Sequence, residues 1–364
     1  MKVKDICSYL DTVVPISFQE SYDNSGQQVG DPDKEVNAAM ISLDITEDVI
    51  DEAIIAGCGL IITHHPLLFS PLKKLTGKTY AERILVKAIK NEIAIYSSHT
   101  NLDVLNTGVS RKMAEKLNLQ NIKVLSPLKN KLLKLVTYIP EDHFEKVREA
   151  IFEAGAGVIA NYDKCSFSLA GTGSYRAGED TNPFAGKKGN FHLEKEVRFE
   201  TIMPAHLRDQ VIGALITMHP YEEVAYDIYA LENEYKEAGL GCIGELPEAI
   251  EEEAFLKYLS DIFNAEGVRY SKFTGKRIKM VALCGGAGIS LLSNAMNAGA
   301  DVFVTSDIKY HDFFNAGNSI LLVDTGHYES EKYSTEILYD LIIKKFPTFA
   351  IRFSETNTNP INYL

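Results

Sequence analysis

His64 and His65 are adjacent imidazoles at the end of the apolar run Leu60-Ile61-Ile62-Thr63, and Pro66 follows at once. Imidazole can move protons near neutral pH or bind a transition metal. A run of this kind reads as a buried parallel strand, and proline takes the chain out of the sheet. The pair is thus delivered to the carboxyl end of a strand, where open α/β sheets place their ligands. Successive side chains on an extended chain point in opposite directions, so the two rings suit two neighbouring ions better than one.

Two further strand ends offer matching groups. Glu92–Ser98 reads as a strand leading into His99-Thr100-Asn101-Leu102-Asp103, and Ser319–Asp324 as another leading into Thr325-Gly326-His327-Tyr328-Glu329-Ser330-Glu331. A helix starting near Gly326 puts His327 and Glu331, four apart, on one face. Glu329 is an equally available carboxylate. His99 can ligate or can hydrogen-bond from behind the ligands, and the second role is favoured. Imidazole mixed with carboxylate suits zinc, iron, manganese or another divalent first-row metal. His64, His65, Asp103, His327 and Glu331 are too many for one tetrahedral zinc with an open position. They are about right for two ions that share a carboxylate.

These groups must be positioned by a chain of 364 residues, long enough for two or three domains. Its 45% hydrophobic and 24% charged residues are those of an ordinary globular protein. No stretch is long and apolar enough to cross a bilayer, and the charged amino terminus does not read as a signal peptide. Five cysteines with no C-x-x-C pair indicate neither a disulfide frame nor a thiolate zinc site, so a reducing cytoplasm is expected. A net charge of -13 argues against nucleic acid as a partner.

The first segment alternates helix and strand: a helix before Pro15, a strand at 36–44, a helix at 47–56, the strand before His64, a helix at 79–90, the strand before His99 and a helix at 107–117. That is a β-α-β series. The last segment resumes it with strands at 278–284, 301–305 and 320–324. Gly285-Gly286-Ala287-Gly288 could cradle a phosphate at a helix start, but a tight strand-to-helix turn explains these glycines equally well. Between the two segments, strand-like and helical runs follow in the order β-α-β-β-α-β, a ferredoxin-like unit. The expected fold class is therefore α/β: a two-part core at 1–129 and 236–364 with the dinuclear site, and an inserted ferredoxin-like α+β domain at 130–235.

The motifs Tyr22-Asp23-Asn24-Ser25-Gly26, Thr63-His64-His65-Pro66, Ser98-His99-Thr100-Asn101-Leu102-Asp103, Cys284-Gly285-Gly286-Ala287-Gly288, Asp307-Ile308-Lys309-Tyr310-His311 and Asp324 to Glu331 together resemble the Nif-three-like family, also called the GTP cyclohydrolase 1 type 2 homologues. Gly171–Arg176 and His219–Glu223 are similar to the insert of its longer bacterial members. The resemblance implies a dinuclear metal core, a toroidal homohexamer and an insert similar to PII and CutA. It places the family's metal ligands on His64, His65, Asp103, His327 and Glu331. Tyr22, Gln27 and Ser306 depart from the common pattern without removing a ligand. The expected function is metal-dependent hydrolysis of a small nucleotide-like or phosphorylated substrate by two divalent ions per chain, zinc first and iron or manganese next. His99 and His311 are the candidates for proton transfer or substrate contact. The alternative is a non-catalytic metal-binding scaffold.

Overall fold

The computed structural model describes residues 1–364. The chain forms two compact units, one of residues 1–127 with 237–364 and the other of residues 128–236.

In the larger unit, β1 (Gly26–Val29), β2 (Ala38–Ser42), β3 (Leu60–Thr63) and β4 (Ala94–Ser97) lie in one sheet. β5 (Gln120–Leu128) begins a second. In the smaller unit come β6 (Leu132–Pro140), β7 (Ser166–Arg176), β8 (Phe191–Pro204) and β9 (Tyr226–Leu231). β10 (Tyr235–Ile250), β11 (Arg269–Tyr270), β12 (Ile278–Leu283), β13 (Val302–Thr305) and β14 (Leu321–Asp324) complete the second sheet, and β15 (Ala350–Phe353) returns to the first. The sheet orders are β1-β4-β3-β2-β15, β11-β14-β13-β12-β10-β5 and β7-β8-β6-β9. β4, β3, β2 and β15 run parallel, as do β12, β13 and β14.

Both faces of each parallel sheet are buried, which is why the strands read as unbroken apolar runs. In β3 and its neighbours, Leu60, Ile62, Ala39, Ile41 and Tyr96 pack against Val3, Ile6, Leu10, Leu338 and Ile342 of helices 3–13 and 334–345. Ile61, Met40 and Ile95 point the other way, onto Val49, Ile50, Ile84 and Leu85 of helices 47–55 and 80–90. Each Leu or Ile so buried contributes roughly 1.5–3 kcal/mol of transfer free energy. Both of these latter helices are capped by threonine: Thr46 accepts from the Val49 amide and Thr79 from the Glu82 amide. The second sheet repeats the plan, with Val281, Leu283, Val302, Val304 and Val323 facing helix 252–263, and Ala282, Phe303 and Leu322 facing helix 292–297.

The smaller unit has the ferredoxin-like order of elements, helices 144–153 and 208–218 covering one face of an antiparallel sheet. No helix in the chain is long and apolar enough to cross a membrane. All five cysteines are free.

Candidate metal centre

The carboxyl ends of β2, β3 and β4 in one sheet and of β12, β13 and β14 in the other supply one cluster of side chains. His64 and His65 follow β3. Asp103 closes a single helical turn, Thr100–Asp103, after β4. His327 and Glu331 lie on the short helix His327–Glu331 after β14. Two triads combine imidazole with carboxylate and could each hold a metal ion: His65, His327 and Glu331, and His64, Asp103 and Glu331, with ligand atoms within 4.8 Å of one another in each. Glu331 belongs to both. His64, His65 and His99 converge within the same distance as a third group, made of imidazoles alone.

The distances show how the groups are arrayed. Oε2 of Glu331 is 2.7 Å from Nε2 of His65, 2.9 Å from Nε2 of His327 and 3.8 Å from Nε2 of His64. The two ring nitrogens of His65 and His327 are 3.3 Å apart. Glu329, the alternative carboxylate, points elsewhere and accepts from Asn359 Nδ2 at 3.0 Å.

Each imidazole is oriented by a partner on its other nitrogen. Nδ1 of His64 donates to the Ser98 carbonyl at 2.8 Å; a carbonyl only accepts, so Nε2 carries the lone pair. Nδ1 of His65 faces Asp44 at 2.6 Å, and Nδ1 of His327 faces Asp307 at 2.7 Å. Asp44 is itself held by Thr358 Oγ1 at 2.7 Å. Asp307 sits in the left-handed region, φ +55°, a conformation that aspartate tolerates better than most residues. Carboxylate partners of this kind fix the tautomer and raise the basicity of a metal-binding imidazole.

Burial and neighbouring charges together set the protonation of the cluster. Burial pushes the Asp103 carboxyl well above the usual carboxylate range, and the charge of Glu331 pushes it further. Burial opposes ionisation of Glu331 as well, but hydrogen bonds from His327 and His65 hold its pKa below the ordinary value. His64, fully buried, is pulled down by burial to about 3. Burial opposes charge on His65 too, yet hydrogen bonds to Asp44 and Glu331 raise it to about 9. In the same way Asp307 and Glu331 overcome burial and raise His327 to about 11. Nε2 of His64 and Oδ1 of Asp103 are buried with no hydrogen-bond partner. Orphaned polar atoms of this type are costly in a protein interior unless something satisfies them. A divalent ion between two such donors would do so, and the residues present therefore fit the metal that the ligand types suggest.

Gly286 makes room for this arrangement: with φ +61°, a Cβ there would stand 2.0 Å from Oε1 of Glu331. The glycine turn after β12 thus serves close approach to the carboxylate.

The cluster opens into a cavity of about 710 Å³ walled by Tyr22, Phe69, Tyr80, Leu67 and Leu291 among others, with no lysine or arginine in its lining. His99 lines this cavity. Its Nδ1 faces Asp23 at 2.8 Å, and Asp23 also accepts from the Thr100 amide and hydroxyl. Burial works against the Asp23 charge, but hydrogen bonds from His99 and Thr100 hold its pKa far below normal.

His311 is not brought to the cluster. It sits exposed on the 3₁₀ segment Tyr310–Ala316, against the rings of Tyr310 and Phe314, and lines no part of the cavity. A motif places a residue along the chain, and here the segment after β13 turns that ring outward. Asp23, Asp44 and Asp307 are partners of the histidines that sequence reasoning missed. For Asp44 and Asp307 a signal was available, since both follow strands at the same sheet ends as the ligands.

Two α/β sheets whose carboxyl ends share a carboxylate-linked histidine cluster define a class of protein able to hold metal. Within that class, the chain belongs to the Duf34/NIF3 (NGG1p interacting factor 3) family, whose profile matches residues 1–360. It is 39% identical over 357 residues to a GTP cyclohydrolase 1 type 2 homolog of Halalkalibacterium halodurans, covering 96% of this chain and 95% of the relative. A protein of the same description from Bacillus subtilis is 38% identical over 360 residues, with the same coverage of 96% and 95%. The crystal structure of a Bacillus cereus protein related to NIF3 superposes with a TM-score of 0.87 at 38% identity, covering 100% of this chain and 99% of that one.

Proposed function

We propose that the protein is a dinuclear metal-dependent hydrolase acting on a small nucleotide-like or phosphorylated substrate. The observation that carries this reading is the pair of triads sharing Glu331, with the unpartnered His64 Nε2 and Asp103 Oδ1 facing the same gap. His64, Asp103 and Glu331 would hold one ion, and His65, His327 and Glu331 the other, with zinc the first candidate and iron or manganese next. When bound, such a pair lowers the pKa of water and offsets negative charge on a phosphoryl or carbonyl oxygen.

The protein's own residues do the remainder. Asp44 and Asp307 hold the His65 and His327 rings so that Nε2 of each faces inward. Asp23 orients His99, leaving Nε2 as the ring nitrogen free to take or give a proton at the cavity wall. The aromatic and aliphatic walls suit a planar ring and exclude water around it. Because no lysine or arginine lines the cavity, a phosphate would have to be met at the ions, which favours a small substrate over a polyphosphate.

The test measures metal content and turnover together, for wild type and Glu331→Ala, across a panel of nucleotides and phosphoesters. About two ions per chain, with turnover lost in the variant, is the expected result. Metal without turnover of any substrate would replace this reading with a non-catalytic metal-binding role. A wild type that takes up no metal under any loading condition would overturn both.

A further inference from the structure

Two stretches that the metal chemistry leaves unused, Gly171–Arg176 and His219–Glu223, meet in the smaller unit around a second cavity of about 470 Å³. Its walls include Tyr175, Phe184 and Tyr221, the last with its ring centroid 6.0 Å from each of the other two. Glu196 of β8 also lines it, at 8% exposure.

Glu196 differs from the other acids of its strand face. Glu194 is paired with His192, and Glu200 with Lys134 and Arg198. Glu196 has no cationic partner; its one hydrogen bond is from the Tyr221 hydroxyl to Oε1 at 2.8 Å. Arg176, the basic side chain of the lining, is exposed and forms no ion pair with it. Oε2 lies against Gly173, where a Cβ would come within 1.9 Å of it. The strand is thus bare at the one point where this carboxylate rests.

The surroundings are firmly set. The buried His219 accepts the Tyr221 amide on Nδ1 at 3.1 Å, and its Nε2 donates to the Tyr138 carbonyl at 3.0 Å. The loop bearing Phe184 is fastened on either side of that ring, by the Asn182 amide to Glu222 at 2.8 Å and by the Tyr175 hydroxyl to the Ala185 carbonyl at 2.8 Å. Glu222 is occupied by that loop.

A buried carboxylate without a countercharge is expensive, and aromatic rings around it attract a cation. Metal is disfavoured, because every group of three or more converging donors in the chain lies at the first site. We propose that this cavity binds a small organic cation, an alkylammonium or guanidinium group, with its charge on Glu196 and its body against Tyr175, Phe184 and Tyr221. The cavity shares no residue with the metal centre, so the two stand or fall separately.

The test titrates the full-length protein with butylammonium, methylguanidinium and neutral butanol, followed by ligand-observed NMR. At least one cation should bind saturably and butanol should not. Glu196→Gln, which keeps an oxygen for Tyr221, should weaken that binding about tenfold or more, or about 1.4 kcal/mol, with an unchanged melting temperature. Glu331→Ala should leave it unaltered. The proposal is overturned if butanol binds as well as butylammonium, if neither cation binds up to about 10 mM (a Kd weaker than any useful site), or if a stably folded Glu196→Gln binds like wild type.

Discussion

Nε2 of His64 and Oδ1 of Asp103 face each other at 3.5 Å, both buried and neither hydrogen-bonded. The separation is longer than a hydrogen bond, and the His64 tautomer presents a lone pair to the Asp103 carboxyl group. A metal ion placed between the two atoms would satisfy both.

The metal stoichiometry should therefore divide by residue. Asp103→Asn removes a donor from one triad and is expected to leave about one ion per chain, whereas Glu331→Gln touches both triads and should leave close to none. Elemental analysis of the purified variants checks this, and equal loss in both would contradict the shared-carboxylate arrangement.

Asp44 touches no partner in the cluster except His65, and Thr358 holds it from behind. Asp44→Asn should weaken metal affinity about 10–100-fold while preserving the fold, as expected for a group that orients a ligand. Competition against a chelator of known affinity gives the number.

Gly286→Ala and Gly299→Ala form a matched pair. Both glycines have positive φ, but a Cβ at Gly299 meets nothing within 4 Å, while at Gly286 it meets Glu331 Oε1 at 2.0 Å. Each change should cost about 1–2 kcal/mol in backbone strain. Only Gly286→Ala should also lose metal, and retention of full metal content by that variant would show that Glu331 can relax without consequence.

His99 and Asp23 should separate chemistry from metal binding. His99→Gln is expected to keep the ions and lose about 10²–10⁴-fold in turnover, the usual worth of a positioned proton-transfer group. An unchanged rate would remove His99 from the mechanism.

Glu82 gives a pH dependence remote from the metal. Hydrogen bonds from the Thr76 hydroxyl and amide and the Lys78 amide lower its pKa from 4.5 to about 2. A depressed carboxylate stabilises the folded state above its unfolded pKa and loses that contribution as pH falls. The urea midpoint of Glu82→Gln should thus lie below that of wild type at neutral pH, and the gap should narrow as pH falls from 4.5 towards 2. A gap independent of pH would mean that packing, not charge, sets the effect.

Much of this arrangement was legible in the chain. The unbroken apolar runs before His64, His99 and Thr325 declared buried parallel strands, and strand ends are where such sheets gather ligands. The four-residue spacing of His327 and Glu331 held because a short helix does form there. The same spacing favours Glu331 over Glu329, and the structure adds that Glu329 is taken up by Asn359. The short edge strands β1 and β15, only four residues each, escape such a reading because half-exposed segments carry little periodic signal. Asp23 was equally hidden, since hydrogen bonds between distant loops leave no spacing rule. His311 shows the converse: chemistry-bearing residue types in a motif do not ensure that the side chain turns inward.

The return of β15 to the edge of the first sheet, beside β2, bears on how the protein is made. His64, His65 and Asp103 leave the ribosome early, but His327 and Glu331 follow only after the whole smaller unit and most of the second sheet. Since domains fold as units during synthesis, the nascent first half holds only a fragment of either triad. The two mixed triads of the proposed site can therefore be completed only when translation is nearly finished, once the two halves of the larger unit have found each other.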